Sequence, residues 1–448
     1  MNSFSSHLRR TGTLALPLIG SHLAQISIGL TDTVMLGWYG VSELAAVSLA
    51  TMLFFVLFLF GSGFGKAVMP LVAAATGNGD MAQVRRATRM GLWISMLFAV
   101  ATLPFFWFSG PILLALGQSD QLAANGQDYL RITGFAMPAA LVVMVLSSHL
   151  SALDRARVLL WVTLAGVLIN AGVNWTLIFG NFGAPELGLR GAAIASLSTN
   201  VAMALMLALY AGVGRGMRGY ALFARIWRAD PEALGQVCRL GWPIGLTMLA
   251  EVGLFAASSV MMGWIGEVPL AAHSIALQIS SITFMVHIGI SSAATVRTGH
   301  AWGRGDPLAL RQGALAACLL SGLMVAATII AFLTIPGPMI RLFLDPADPA
   351  LPVILGLATG FLALGALFQL ADGAQVLALG LLRGVQDTRG PMIQAMLAYW
   401  VVGLPAAYYL AFSLGMGGNG IWLGLVIGLS LAALMMMTRF WRGPGRAT

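Results

Sequence analysis

Residues 34–50, VMLGWYGVSELAAVSLA, return as residues 260–276, VMMGWIGEVPLAAHSIA, 226 positions further along the chain. The same shift carries outward. Gly77-Asn-Gly-Asp80 meets Gly303-Arg-Gly-Asp306, and Arg85 meets Arg311. Over residues 16–85, 21 of 70 positions are identical to their shifted partners, where chance matching of such a composition gives about six. The register reads on through Gly134-Phe135 against Gly360-Phe361 and Arg157 against Arg383. The chain therefore divides into two related halves, 1–226 and 227–448, with the polar stretch 215–239 as the linker.

Each half is too apolar to be a soluble domain. Of 448 residues, 58% are hydrophobic and 9% charged, and the mean hydropathy is +0.87. A soluble chain carries about 25% charged residues, and a disordered one far fewer apolar residues. Apolar runs long enough to cross a bilayer need about 20 residues. Twelve such runs lie near 13–38, 44–75, 88–109, 127–152, 157–180, 190–214, 240–265, 270–299, 313–335, 351–382, 390–413 and 418–439. Six spans per half is an even number, so both halves enter and leave on the same side. The expected fold is an all-α polytopic membrane protein: twelve helices in two parallel six-helix lobes, related by a pseudo-two-fold axis along the membrane normal. That build is expected to place a cavity between the lobes and to open it alternately to either side. The apolar stretch behind Arg9-Arg10 could be read as a cleaved leader, but it recurs in the second half and belongs to the mature fold.

Charge supports the same topology. Twenty of the 24 basic residues fall in alternate loops, among them Arg85, Arg86 and Arg89, Arg215 to Arg228, and Arg439 to Arg446. The opposite loops hold Arg190 and Arg341 with the acids Glu43, Asp120, Asp128, Glu186, Glu267, Asp345 and Asp348. This bias puts both termini in the cytoplasm. The net charge of +8 is scattered between apolar runs without a basic domain or interleaved aromatics, which argues against nucleic acid. Cys238 and Cys318 carry neither a disulfide framework nor metal-ligand spacing. Lys66, the one lysine, sits late in helix 2 and is expected to reach for the headgroups.

The informative residues are acids inside the spans, since each costs at least about 2.5–3.5 kcal/mol at mid-helix. There are three: Asp32 in helix 1, Glu251 in helix 7 and Asp372 in helix 10. Their repeat partners are Ser258, Gln25 and Leu146, so the scaffold is symmetric and the acids are not. No span carries a basic residue at matching depth. A carboxylate without a counter-charge in a low dielectric takes up a proton or a cation, and either neutralises it reversibly. Other polar residues gather nearby in sequence: Asn170 and Asn174, one turn apart on helix 5; Gln25, Thr31 and Thr33 around Asp32; Ser196, Thr199 and Asn200 on helix 6; Gln278, Ser280, Ser281, Thr283 and His287 on helix 8. Any one of these can serve as an ordinary interhelical hydrogen bond.

Several apparent motifs fail. Gly61-Ser-Gly-Phe-Gly-Lys66 lacks the spacing and the Ser/Thr of a phosphate loop, so energy is expected from an ion gradient. His22, His149, His273 and His287 have no second ligand at i+3 or i+4 for zinc. No nucleophile elbow is present, and nothing favours an enzyme.

Taken together, these residues resemble the multidrug and toxic compound extrusion (MATE) antiporters, NorM-like branch, over nearly the whole chain. The resemblance rests on Thr31-Asp32-Thr33 with Met35 and Gly37, on Asn170 and Asn174, on Glu251 eight residues after Pro243, on SAATVRTGHAWGRGD at 292–306, and on Asp372 followed by Gly380-Leu-Leu-Arg-Gly384. It implies a cation-coupled exporter of amphipathic, often cationic drugs. Glu251 and Asp372 would form a Na⁺ site, Asp32 would serve protons or substrate, and Asn170, Asn174, Gln25, Gln278, His287 and Thr199 would line the polar cavity. No cofactor is implied beyond the coupling Na⁺ or H⁺. The expected setting is the bacterial inner membrane, with lipid around a monomer. The rival readings are a lipid-linked oligosaccharide flippase of similar build, which would need a cationic cavity, and a membrane enzyme that turns over lipid without a gradient.

Overall fold

A computed structural model describes residues 4–344 and 349–446; Asp345 and Asp348 of the acidic loop lie outside the described residues. The apolar runs fold as helices: α1 (Phe4–Tyr39), α2 (Val41–Gly77), α3 (Met81–Trp107), α4 in two segments (Asp120–Thr133 and Ala136–Ala152), α5 (Ala156–Ile178) and α6 (Leu189–Val213). The second half supplies α7 (Pro231–Ile265), α8 (Glu267–Gly303), α9 (Pro307–Thr334), α10 (Leu351–Gly384), α11 (Arg389–Ser413) and α12 (Gly418–Arg442). Among the described residues, eleven helices are long and apolar enough to cross a membrane, and the bent pair in α4 brings the number to twelve.

The repeated Gly-x-Gly-Asp motif marks where α2 gives way to α3 and α8 to α9. Gly79 and Gly305 take left-handed φ angles of 80° and 64°, which glycine adopts without a Cβ penalty. Asp80 then accepts from the Gln83 amide at 2.9 Å, and Asp306 from the Ala309 amide at 2.9 Å. Both are helix N-caps.

Three sequence expectations change. Helix 4 is not one rod: its two segments meet at 50°. Pro138 lies just beyond the break, where its ring would meet the Gly134 carbonyl of a continuous helix. The linker is shorter than 215–239, because Asp230 caps a helix that already begins at Pro231; its carboxylate accepts from the Ala233 amide at 3.1 Å, and proline suits the first helical position. The repeat register also slips. α3 and α9 start in register, at Met81 and Pro307, but α4 ends at Ala152 and α10 only at Gly384, because the connection ahead of α10 is longer. Arg157 therefore sits in the first turn of α5 and Arg383 in the last turn of α10, so the two are not equivalent. The structural partner of Asp372 becomes Ala140 rather than Leu146, which leaves the asymmetry of the acids intact.

α11 departs from α-geometry at Leu397–Gly403 and Tyr409–Ser413, which are π-helical. The first widened stretch precedes Pro405, whose ring would otherwise press on the Val401 carbonyl.

The described chain forms two compact units, residues 20–245 and residues 1–19 with 246–448. They differ from the sequence halves by exchanging the first parts of α1 and α7. The boundaries, after Ile19 and after Gly245, fall at equivalent positions of the repeat, each just past a proline inside its helix, Pro17 or Pro243. Within the first unit, a Cβ on Gly63 of α2 would lie 2.5 Å from the Gly241 carbonyl and 2.5 Å from the Gly245 amide of α7. Within the second, a Cβ on Gly289 of α8 would lie 2.8 Å from the Ile19 amide of α1. These are the same repeat positions, so glycine at 63 and 289 is required by backbone packed against backbone. The false phosphate loop is thereby explained: Gly61 and Gly65 flank that crossing, packed against Phe98 and Met144.

Candidate functional site

In the unit of residues 20–245, Asp32 on α1 is held by neutral donors from two helices. Asn170 and Asn174 of α5 donate their Nδ2 groups to Oδ1 at 3.0 and 2.6 Å, and Ser196 of α6 donates its hydroxyl to Oδ2 at 3.1 Å. Asn174 also donates to Asn170 Oδ1 at 3.2 Å, which locks the pair one helical turn apart. Both asparagines are fully buried. Tyr129 of α4 lies close enough to feel the Asp32 charge. Such hydrogen bonding stabilises a carboxylate as an anion without neutralising it. A further positive group is still needed for balance.

In the other unit the arrangement is opposite. Asp372 on α10 is 0% exposed, and neither of its oxygens has a hydrogen-bond partner among the described residues. Gln369 and Gln375, three residues before and after it, are also 0% exposed, and none of their side-chain oxygens and nitrogens is bonded among the described residues. Tyr399 of α11 is buried beside Gln375, with its hydroxyl outside hydrogen-bonding geometry. Glu251 of α7 is buried too, and its charge is felt at Asp372, Tyr399 and Arg383. Arg383 makes no ion pair among the described residues, and it stands about 16 Å further along the helix than Asp372.

Each buried polar atom left without a partner costs about 1–3 kcal/mol, yet α10 carries six in two turns. Five of the nearby groups can present oxygen: Asp372, Glu251, Gln369, Gln375 and Tyr399. Oxygen is the donor that hard cations require. Phe368, one turn before Asp372, contributes none; it packs edge-on against Phe255 at 5.9 Å and Trp422 at 5.8 Å. Among the described residues no cluster of three or more His, Cys, Asp or Glu is assembled for a metal.

The remaining expected cavity residues scatter. His287 of α8 is buried against Gly373, next in chain to Asp372, with Nδ1 3.5 Å from the Ser321 hydroxyl. Thr199 turns its hydroxyl back to the Ala195 carbonyl at 2.7 Å and packs its methyl toward Gly166; Ser196, one turn earlier, is the residue that reaches Asp32. Gln25 and Gln278 are exposed and join neither cluster. Lys66 is partly buried, and its charge is felt at His22 of α1. Sequence reasoning passed over Gln369, Gln375, Tyr399 and Tyr129. For the two glutamines the signal was present: i−3 and i+3 from a buried acid in an otherwise apolar span.

An all-helical membrane chain with buried carboxylates in two polar clusters has the make-up of a membrane transporter. The chain is a member of the MatE family, whose model matches twice, at residues 17–176 and 243–409; this is a family of transporters and not of enzymes. The two matches begin in register, at 17 and 243, and end out of it, at 176 and 409, the slip seen in the fold. The chain is similar to a protein described as probable multidrug resistance protein NorM from Rhizobium meliloti (strain 1021), at 45% identity covering 98% of this chain and 94% of the relative. A protein of the same description from Agrobacterium fabrum is 43% identical over 98% and 94%. Among solved structures, a MOP superfamily transporter from Pyrococcus furiosus shares the fold, with a TM-score of 0.88 at 20% identity, over 99% of this chain and 97% of that one.

Proposed function

We propose that the chain is a secondary active multidrug efflux antiporter, exchanging cationic, amphipathic drugs for Na⁺ or H⁺ by alternating access. It works as a monomer in the bacterial inner membrane, both termini cytoplasmic, with the halves 1–226 and 227–448 as parallel repeats. The observation that carries this reading is Asp372, fully buried with no donor to either oxygen among the described residues. Such a group is neutralised by whatever small positive species reaches it. With Glu251 close by, Na⁺ finds two carboxylates and the oxygens of Gln369 and Gln375, while H⁺ finds the same carboxylates as bases.

Exchange follows from competition. A bound ion cancels the negative charge that would hold a cationic drug; its departure restores that charge. Asp32, steadied by Asn170, Asn174 and Ser196, keeps a second negative centre. His287 belongs to the α10 environment and Thr199 to that of Asp32, while Gln25 and Gln278 offer exposed amides to a passing substrate. In a one-for-one exchange of singly charged cations the membrane potential cancels, and each tenfold ion gradient supplies about 1.4 kcal/mol, enough for about a tenfold drug gradient. Dye uptake into everted vesicles, driven separately by Na⁺ and by a pH step, tests the proposal. Uptake should follow at least one gradient; a rate indifferent to both overturns it.

A further inference from the structure

Arg131 takes no part in the clusters above or in the ion pairs of the loops. Near the end of the first segment of α4, it lies at the ends of α3 and α4 remote from Arg85, Arg86 and Arg89. Arg190, on the same side by the alternation of loops, pairs with Asp128 at 2.8 Å. Arg131 pairs with no acid among the described residues. Its Nε donates to the Trp107 carbonyl at 3.2 Å, and its guanidinium carbon sits 5.3 Å from the centre of the Trp107 ring. Gln127 donates to the same carbonyl at 2.9 Å, so the end of α3 is already capped without Arg131. The two terminal NH₂ groups make no hydrogen bond among the described residues, and the cation is fixed in place by ring and carbonyl with four donors to spare.

Beside it the break in α4 opens a cavity of about 320 Å³, at the small end of ligand pockets. Its walls are almost wholly apolar, supplied by Val100, Leu103, Phe106 and Phe135 with Trp107 and Arg131 at the rim. Val100, Trp107 and Phe135 are exposed. The cavity therefore opens on the outer surface of the helices, at the level of an aromatic and a basic residue, as at a bilayer headgroup. A hydrocarbon slot capped by one fixed cation matches one molecule end to end.

We propose that this cleft is a lipid site, taking an acyl chain of an anionic glycerophospholipid with its phosphate on Arg131. The slot disfavours a soluble ligand, because its apolar wall offers such a ligand almost no hydrogen bonds. The cation selects a negative headgroup. The bend at Gly134 and Phe135 makes the room, so the bound lipid wedges the two segments of α4 at their observed angle.

Native mass spectrometry on the full chain, titrated with phosphatidylglycerol, phosphatidylcholine or diacylglycerol, tests this. Phosphatidylglycerol should bind at least about fivefold more tightly than diacylglycerol, the worth of one basic contact at a membrane surface. Arg131→Gln should remove that preference while leaving weak acyl binding, and Arg131→Lys should keep it. Val100→Trp, which fills the slot from its exposed side and leaves Arg131 untouched, should reduce all three lipids together. Equal binding of phosphatidylglycerol to wild type, Arg131→Gln and Val100→Trp overturns the proposal, as does equal affinity of the wild type for diacylglycerol. Should Arg131→Gln fail to fold, Val100→Trp and Arg131→Lys decide the matter alone.

Discussion

Replacing Asp372 by asparagine separates a coupling role from a structural one. A structural buried acid loses hydrogen bonds when it becomes an amide, and losing those to a charged group costs about 1.5–3 kcal/mol each. Asp372 has none to lose, since both oxygens lack donors among the described residues and the residue is 0% exposed. The substitution instead removes a buried charge, for which insertion scales charge about 2.5–3.5 kcal/mol at mid-helix. Asp372→Asn should thus be as thermostable as the wild type or more so, while its gradient-driven efflux collapses. The loss should approach about tenfold in dye gradient for each tenfold ion gradient imposed, the limit for a one-for-one exchange of singly charged cations. Thermal melting of the purified protein and ion-driven dye uptake into everted vesicles are the two readouts. A variant that melts markedly lower, or one that still pumps at wild-type level on both ions, refutes the reasoning.

Other perturbations have equally definite outcomes. Gly63→Ala should lower stability by about 1–3 kcal/mol or more, because its methyl would lie 2.5 Å from the backbone of α7; Gly172→Ala, with open space around it, is the control in the same melting assay. Asn174→Ala removes the 2.6 Å donor to Asp32 and should cost about 1.5–3 kcal/mol of stability. Thr199→Val should cost under about 1 kcal/mol, because that hydroxyl serves only its own helix. Asp230 outside the spans is pulled down to about 2 by its bond to Arg86. A lowered value means that the attachment is fully present above the ordinary carboxylate range near 4 and fades as pH falls toward about 2. Pepsin cleavage within 214–230 should rise across that window, and Asp230→Asn should already show faster tryptic cleavage at neutral pH.

The twelve spans were legible because hydropathy and loop charge are properties of whole segments, averaged over the length of each span. The acids were legible for the opposite reason, as single exceptions in an apolar background. The break in α4 was hidden because Pro138 in a membrane span is compatible with either a smooth bend or a broken helix, and only the packing of Gly134 against Phe106 decides. The exchange of the first parts of α1 and α7 between the compact units was also hidden. Pro17 and Pro243 advertise a bend but not which neighbours lie on either side of it. The companions of Asp372 went unnoticed because glutamine carries no formal charge, so Gln369 and Gln375 stand out less than their burial warrants. Ser196 and Thr199 were indistinguishable in sequence; rotation about α6 aims the first at Asp32 and leaves the second with its own backbone.

The stretch 214–230 is tied to α3 in a particular way. Arg89 donates to the carbonyls of Ala221, Leu222 and Ala224, and the Trp93 indole to that of Ile226 at 2.7 Å. Within 221–226 every acceptor is main chain; the carboxylate of Asp230, held by Arg86, adds the one side-chain attachment among those bonds at the end of the stretch. The clasp is therefore blind to which amino acids pass through it and sensitive to how many do. Apart from Leu222, which is buried in the core, and Ala221 and Arg225, whose φ angles of 46° and 55° are left-handed, residues within 221–226 should accept replacement of their side chains, whereas deleting even one would throw the carbonyls out of step with the two residues that grip them. A genetic screen would meet this tether first as a ruler, strict about length and strict about spelling at Leu222 and Asp230.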